Sequence, residues 1–189
     1  MKWASFFLLC LYALPGFADW QLDASNSSLH FVTTKATHVA EVHQFKQLSG
    51  TLTNAGQAEL TIDLNSVDTR IEIRDQRMKE MLFEVAKYPK ATLHTKVDES
   101  LLKLKSGESK SVALEGTLSL HGQSLTVASM ANVERLSDSR LVVSSLTPVV
   151  INAKDVGLVA GVEKLREVAG LPSISYSVVV TYNLTFITK

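Results

Sequence analysis

A long alternation of apolar and polar residues near the C-terminus is the sequence feature that most restricts the fold. Seven apolar side chains fall on one face of an extended chain: Ile174, Tyr176, Val178, Val180, Tyr182, Leu184 and Phe186. Serine, threonine and asparagine occupy most positions between them, which is the period of a strand with one buried face. The run is longer than an ordinary strand of about five or six residues. Long strands of this kind are typical of a closed, coiled β-barrel.

Shorter stretches of the same alternation recur along the chain, so strands dominate the predicted structure. They cover residues 29–33, 60–64, 91–97, 112–120 and 125–127. Turn-forming segments such as His121-Gly122-Gln123 separate some of them. Amphipathic strands joined by short turns favour an antiparallel meander, and we therefore expect an all-β fold that closes into a barrel.

Two segments interrupt the strands with apolar residues at helical spacing. The first helix is predicted from Asp68 to Ala86, because Pro89 cannot continue a helix. The second is predicted from Asp155 to Ala169, where Gly170 provides a stop. No repeat or low-complexity linker divides the sequence, so residues 19–189 are predicted to form a single domain.

Two charged residues, Arg74 and Asp75, fall on the apolar stripe of the first predicted helix. The stripe consists of Ile71, Met78, Met81, Leu82 and Val85. A charge near an apolar face needs a partner, because removing an unpaired charge from water is costly. Two interpretations stay open. The two residues form a structural ion pair that braces the helix, or they contact a polar head group, for which a guanidinium is well suited.

Residues 1–18 are predicted to be a cleavable signal peptide rather than part of the fold. Lys2 supplies the positive charge, residues 6–14 the short apolar run and Ala18 the small residue at the cleavage site. An uncleaved anchor is the alternative. The only cysteine, Cys10, lies inside this leader, so the exported chain would fold without disulfides. We expect a periplasmic protein, with secretion as the alternative.

Composition and motifs argue against several function classes. The formal net charge is zero, which gives no basis for nucleic-acid binding. The sequence contains no phosphate-binding loop, nucleophile elbow or metal-ligand spacing, and no apolar stretch after the leader is long enough to cross a bilayer. We predict that the protein is not an enzyme and has no catalytic residues or metal site. His38 and His43 are predicted to lie in a loop or an irregular strand, and they keep an open role there, as metal or haem ligands or as plain residues.

Several ordered motifs make the chain similar to a known family. They are Leu60-Thr61-Ile62-Asp63, Ser66-Val67-Asp68-Thr69, Arg74-Asp75 followed by Met78, Leu82-Phe83, Lys87-Tyr88-Pro89-Lys90-Ala91-Thr92 and Leu114-Glu115-Gly116-Thr117-Leu118-Ser119-Leu120-His121-Gly122. In this order they resemble the YceI-like family of secreted lipid- and polyisoprenoid-binding proteins. The resemblance extends over essentially the whole chain after the leader. It implies a lipocalin-like antiparallel β-barrel, one or two short helices near its mouth and an apolar channel for a fatty chain.

The resemblance and the strand alternation together suggest which residues meet the ligand. The predicted channel wall consists of Phe31, Leu60, Ile62, Met78, Met81, Tyr176, Val178 and Tyr182. The two methionines are alternatively plain core residues. Arg74 and Asp75 are predicted at the mouth, near the head group. The expected ligand is an isoprenoid or another fatty amphiphile, bound without a separate cofactor, because each buried methylene contributes about 0.8 kcal/mol.

Two other functions stay open from the sequence alone. In one, the barrel is a redox accessory that holds a quinone or a haem. In the other, it is a structural or stress-response protein whose bore is filled by its own side chains, as small barrels allow. A homodimer is one alternative for the oligomeric state. The chain departs from the usual family pattern around His38 and His43 and over residues 152–158, both where a channel mouth is expected.

Overall fold

The computed structural model describes residues 20–188, and strands make up most of this part of the chain. The strands are β1 Trp20–Leu22, β2 Ser28–Lys35, β3 Val39–Phe45, β4 Leu48–Leu52, β5 Gln57–Asp63, β6 Val67–Asp68, β7 Lys90–Lys96, β8 Ser109–Leu120, β9 Gln123–Ser137, β10 Arg140–Ser145, β11 Val149–Asn152 and β12 Ser177–Thr188. The helices are α1 Glu72–Arg77, continued by a π-helical turn Met78–Leu82, and α2 Val159–Val168. The predicted signal peptide, residues 1–18, lies outside the described residues.

Strand β12 closes the sheet into a barrel because it pairs along both of its edges. One edge bonds to β10 and β11 and the other to β1 and β2, always antiparallel. From β1 the ladder continues through β4, β5, β7, β8 and β9 back to β10. Short breaks divide some barrel strands in two, so these segments build a closed antiparallel barrel of eight strands with two short helices. The predicted all-β barrel is confirmed.

One end of the barrel interior is filled by apolar side chains. Trp20, Leu52, Leu141, Leu184 and Phe186 lie at the end where β12 finishes, and each is at most 7% exposed. Side chains packed at this density leave little free space, so this end of the bore is closed. The opposite end, where β12 begins, is covered by the two helices.

Helix α1 is shorter than the sequence predicts. It begins at Glu72 rather than Asp68, because strand β6 pairs with β3 and Arg70 then turns the chain with a left-handed φ of 63°. The helical segment ends at Leu82, shortly before Glu84 turns the chain again with a φ of 48°. Because β6 pairs with β3, residues at the start of the predicted helix form a strand and a turn instead.

Helix α2 also begins later than predicted. The segment after Asp155 forms a turn, in which Gly157 adopts a left-handed φ of 69°. The helix ends close to the predicted position, and Gly170 follows it with a φ of 62°. The sequence thus predicts the end of the helix correctly from Gly170. The start of the helix depends instead on the turn that follows β11.

The two helices approach closely because α2 carries a glycine at their contact. A Cβ atom at Gly161 would lie 2.8 Å from Leu82 Cα and 2.8 Å from Met81 O. Both neighbours are backbone atoms, which cannot move aside as a flexible side chain can. The absence of a side chain at this position therefore sets how near α2 lies to the π-helical turn.

The substitution Gly161→Ala is expected to destabilise the protein by about 1–3 kcal/mol, because the added methyl group overpacks the helix contact. Equilibrium urea unfolding measures this change. The control Ala160→Ser, at an exposed position of the same helix, should stay within about 0.5 kcal/mol of the wild type. Helix propensity alone predicts that Gly161→Ala stabilises the helix, so a more stable variant would contradict the close contact.

Candidate functional site

A cavity of about 370 Å³ lies between one end of the barrel and the two helices. This volume falls within the range of ligand pockets, roughly 300–1,000 Å³. Its wall is mainly apolar and comes from seven strands and from both helices. Ile71 and Ile73 are 45% and 53% exposed and also line the cavity, so they mark its opening to solvent. The bore is therefore filled at one end and open at the other.

Five of the eight residues predicted for the channel wall line this cavity. They are Phe31, Ile62, Met78, Tyr176 and Val178. They come from three strands or strand ends and from the π-helical turn, which the fold brings around one space. The Tyr176 hydroxyl donates a hydrogen bond of 2.8 Å to Glu163 Oε1, so α2 holds this side chain in the wall. Their contact with a ligand stays a prediction.

Leu60 and Tyr182, also predicted for the wall, do not line the cavity. Each lies two residues farther from the mouth than a residue that does, Ile62 on β5 and Val180 on β12. Alternation correctly predicted that they face the barrel interior. It carries no information about depth, so it could not show where along the strand the free space ends.

Met81 is the third predicted wall residue that lies outside the cavity lining. The reason is the π-helical turn, in which the Phe83 amide donates to the Met78 carbonyl five residues earlier. In an α-helix, Met78 and Met81 would lie on one face. The wider turn rotates Met81 away from that face, while Leu82 joins Met78 in the cavity wall.

Arg74 lies at the cavity mouth and is held by three hydrogen bonds. Its Nη1 donates to Glu41 Oε2 at 2.9 Å, its Nε to Thr69 Oγ1 at 2.8 Å and its Nη2 to Thr69 O at 2.8 Å. Glu41 also forms an ion pair of 2.7 Å with Lys35. Arg74 thus braces α1 against the β2–β3 hairpin and still contributes to the cavity lining.

An ion pair between Asp75 and Arg74, one of the two open interpretations, does not form among the residues that the structure describes. Its Oδ1 instead accepts hydrogen bonds from the backbone amide of Thr69 at 2.8 Å and from the Thr69 hydroxyl. Thr69 is only 2% exposed and connects the two charged residues. Asp75 lies outside the cavity lining, so its position favours bracing over contact with a head group.

The cavity mouth carries an excess of positive charge. Four residues with charged side chains at neutral pH line it: Lys35, Glu41, Arg74 and Arg77. The pKa of Glu41 is lowered, chiefly by the hydrogen bond from Lys35 and further by Arg74, so Glu41 stays ionised at neutral pH. Three cations thus face one carboxylate. No pattern in the sequence points to Lys35, Glu41 and Arg77, because they come near Arg74 only in the folded chain.

His43 is a buried polar residue in the cavity wall that sequence reasoning placed in a loop or irregular strand. It lies in β3, is 4% exposed and shares a hydrogen bond of 3.0 Å between Nε2 and Thr33 Oγ1. Its ring packs on Phe31, which stacks on Phe45. Burial, aided by Arg74, lowers the pKa of His43, so the ring is neutral at pH 7.

The second ring nitrogen of His43 has no partner among the described residues. Nδ1 is buried and receives no hydrogen bond within residues 20–188. Buried polar atoms usually have a partner, so an unpartnered one beside a cavity deserves an explanation. The alternation of Glu41, His43 and Phe45, all in the cavity lining, was the sequence signal that could have located this residue.

Neither His38 nor a cluster of possible metal ligands belongs to the cavity wall in the described part of the chain. His38 lies exposed in the turn between β2 and β3 and is not part of the cavity lining. Residues 20–188 contain no group of three or more histidine, cysteine, aspartate or glutamate side chains placed to hold a metal ion.

Within residues 20–188, no helix combines the length and the apolar character that crossing a bilayer requires.

Comparison with known proteins places this geometry in a family. A sequence model of the YceI-like domain matches residues 20–186. A polyisoprenoid binding domain from Saccharophagus degradans, implicated in plant cell wall breakdown, has 43% sequence identity and a TM-score of 0.88. That alignment covers 91% of this chain and 99% of the other. BcnA from Burkholderia cenocepacia shares the fold, with 18% identity, a TM-score of 0.67 and coverage of 87% and 98%.

No curated protein matches the chain in sequence. The domain match nevertheless spans nearly all described residues, and the relative from Saccharophagus degradans is aligned over almost its entire length. The chain therefore belongs to the YceI-like family.

Proposed function

We propose that this protein binds an isoprenoid or a similar amphiphilic lipid, with the chain in the cavity and an anionic head group at the mouth. The observation that carries the proposal is one apolar cavity, enclosed by barrel and helices, whose opening has three cations and one carboxylate. The polyisoprenoid binding domain with 43% identity supports the same ligand class.

Burial of the lipid chain provides most of the binding free energy in this proposal. Each methylene transferred from water to an apolar wall contributes about 0.8 kcal/mol, and no specific polar contact is needed. The buried residues Phe31, Ile62 and Met78 form part of this wall. Binding by area explains why a protein can hold an isoprenoid chain without catalytic groups, and we propose binding rather than catalysis as its role.

The cationic mouth selects the head group. Arg74 already bonds to Glu41 and Thr69, so it is positioned before a ligand arrives. Lys35 and Arg77 leave the mouth with a net positive charge around it. A phosphate or pyrophosphate matches this arrangement, because charge-assisted hydrogen bonds to a guanidinium are strong and directional.

We further propose that residues 1–18 direct export, so that the protein acts in the periplasm or as a secreted protein. An exported carrier meets lipids that a membrane releases into water, where a fatty chain is poorly soluble. An enclosed apolar cavity removes that chain from water during transfer.

A quinone is the second candidate ligand, and His43 is the observation that favours it. Its buried Nδ1 lacks a partner among the described residues, and its ring belongs to an aromatic cluster with Phe31 and Phe45. The carbonyl oxygen of a quinone would accept a hydrogen bond from a neutral imidazole, and its ring would pack on the aromatic side chains.

Filling the cavity should weaken lipid binding. The substitution Val178→Trp adds a large ring to a residue of the cavity wall, so affinity for farnesyl phosphate should fall roughly tenfold or more. The control Val150→Trp changes a 62% exposed residue of neighbouring strand β11 and should leave affinity unchanged. Isothermal titration calorimetry gives both values. Equal binding by the wild type and Val178→Trp would contradict the cavity as the ligand site.

Removal of the guanidinium should distinguish the contribution of the head group to affinity from the contribution of the lipid chain. Arg74→Ala is expected to weaken farnesyl phosphate binding by about 1.5–3 kcal/mol, the range for hydrogen bonds to charged groups, while farnesol binding changes little. Competition against a fluorescent lipid measures both ligands. Arg74→Lys keeps the charge without the planar guanidinium, so its affinity for farnesyl phosphate should lie between those of the wild type and Arg74→Ala. An equal loss for phosphate and alcohol, with lower thermal stability, would show that Arg74 acts only as a brace.

His43→Phe tests the quinone candidate, because it retains an aromatic ring and removes both nitrogens. Decylubiquinone affinity should fall by about 1 kcal/mol, the usual net value of one hydrogen bond, and farnesol affinity should not fall. Fluorescence titration of purified protein measures both. If quinone binding is unchanged by His43→Phe, this histidine does not recognise the quinone ring.

A further inference from the structure

Exposed apolar side chains concentrate beside the cavity opening. Within residues 20–188, nine large apolar residues are exposed, and four of them come from two elements at the mouth. Val39 and Val42 belong to β3, Ile71 and Ile73 belong to the start of α1, and each is between 45% and 53% exposed. The two elements are joined, because Arg70 Nη2 donates a hydrogen bond of 2.9 Å to Val42 O. We call Val39, Val42, Arg70, Ile71 and Ile73 the mouth rim.

Ile71 is an unusual residue for its place in the fold. It occupies the N-cap position of α1, where its carbonyl accepts hydrogen bonds from the amides of Arg74 and Asp75, both at 3.0 Å. Serine, threonine, asparagine and aspartate are preferred there, because their side-chain oxygens bond to the free amides of the first turn. Isoleucine has no such oxygen. Since Ile71 is also half exposed, neither helix stability nor core packing explains it, whereas a contact outside the chain does.

Basic side chains surround these apolar ones. The rim and the cavity lining together carry four cations at the opening: Lys35, Arg70, Arg74 and Arg77. Two carboxylates lie with them, Glu41 in the lining and exposed Glu72 between the two isoleucines. The opening therefore has a net positive charge, which suits a surface of anionic head groups.

The other carboxylates of this segment have partners within the fold. Asp68 forms an ion pair of 3.0 Å with Lys46, so the two charges compensate each other. Asp75 accepts hydrogen bonds from Thr69 and lies outside the cavity lining. Neither carboxylate therefore faces the opening as a free anion.

We propose that the mouth rim docks the cavity opening onto a membrane surface that contains anionic phospholipids. This inference rests on the proposed lipid-binding function and adds where the lipid is collected or delivered. While the rim is docked, a fatty chain passes between bilayer and cavity without crossing water, where its exposure is costly.

The rim fits a bilayer better than it fits a second copy of this chain. Isoleucine and valine side chains enter between the head groups, while the longer basic side chains reach the phosphates. A stable dimer buries roughly 800 Å² on each partner, whereas the rim offers four apolar side chains interrupted by charges. A twofold contact would also place the same cations of two copies against each other.

The first measurement is co-sedimentation of the purified protein with vesicles that contain no added ligand, so it reports docking independently of the cavity. The wild type should bind vesicles of equimolar phosphatidylcholine and phosphatidylglycerol roughly fivefold or more tightly than phosphatidylcholine alone, about the effect of one basic residue at an anionic surface. Raising the salt concentration should reduce this difference, because ions screen exposed charges.

Removal of the apolar side chains should weaken docking. The double variant Ile71→Ser/Ile73→Ser should lose roughly tenfold or more in vesicle affinity. It should remain folded, because a serine at the N-cap position supplies the capping oxygen that isoleucine lacks. The matched control Leu146→Ser/Val150→Ser changes two residues that are 54% and 62% exposed and lie outside the cavity lining. Its vesicle affinity should equal that of the wild type.

Two rim residues outside the cavity lining separate docking from ligand binding. Val42→Ser should weaken binding to both kinds of vesicle, roughly threefold. Arg70→Gln should weaken binding to the anionic vesicles alone, roughly fivefold. Because neither residue lines the cavity, the affinity for farnesol in solution should be unchanged in both variants.

A tryptophan at the rim reports the orientation of the docked protein. Ile73→Trp should bind vesicles at least as tightly as the wild type, because tryptophan favours the membrane interface. Its fluorescence emission should shift to shorter wavelength when vesicles are added. Val150→Trp, on the outer wall of the barrel, should show no shift, and Trp20 is buried in both variants.

The outcomes separate docking from lipid binding. A wild type that binds farnesol but no anionic vesicles overturns docking, while the lipid-binding function stands. Vesicle binding through the rim without farnesol binding supports the docking surface and overturns the lipid-binding function. An equal loss in the Leu146→Ser/Val150→Ser control, or an Ile73→Trp emission that vesicles leave unchanged, overturns the rim as the contact. A dimer that Ile71→Ser/Ile73→Ser abolishes, together with no vesicle binding, would assign the rim to a second copy and also overturn the proposal.

Discussion

The pairing of β12 along both edges is the constraint on which the rest of the structure depends. Its first half bonds to β11 and β2 and its second half to β10 and β1, so one strand joins the two ends of the sheet. Closure leaves every inward side chain facing a common interior. What occupies that interior then differs with depth, because large side chains fill one end and the helices cover the other.

The same closure explains how a small barrel provides both stability and a binding space. Trp20, Leu141 and Phe186 pack densely at one end, as a core that must hold the fold without disulfides in the described chain. At the other end, α1 and α2 cover the interior and contribute side chains to the cavity wall. Gly161 lets these helices approach each other, so the lid is tight, while the wall beneath them leaves about 370 Å³ free.

The charges at the mouth have a structural role in the fold, and the function proposed above adds a recognition role to the same group. Buried Thr69 accepts hydrogen bonds from Arg74 and donates hydrogen bonds to Asp75, which ties the start of α1 to the preceding chain. Asp75 bonds to Thr69, whereas Arg74 shares the carboxylate of Glu41 with Lys35. The bracing contacts therefore leave the mouth cationic. The bond network that positions the helix is also what preorganises the charge for an anionic head group.

Strand periodicity and family motifs were enough to predict the barrel, its single chain of antiparallel strands, and the inward direction of Phe31, Ile62 and Val178, because side chains alternate strictly along a strand. Periodicity has no measure of depth, so Leu60 and Tyr182 were placed in the cavity wall although they lie beneath it. Met81 was misplaced because a π-helical turn is not visible in an apolar spacing. His43, Lys35 and Glu41 join the site only in the folded chain, because β2 pairs with β3 and Arg74 of α1 bonds to this hairpin.

The sequence by itself thus determined which faces are buried, whereas tertiary packing decided where the buried interior stays empty. Free space depends on side chains that meet from distant strands.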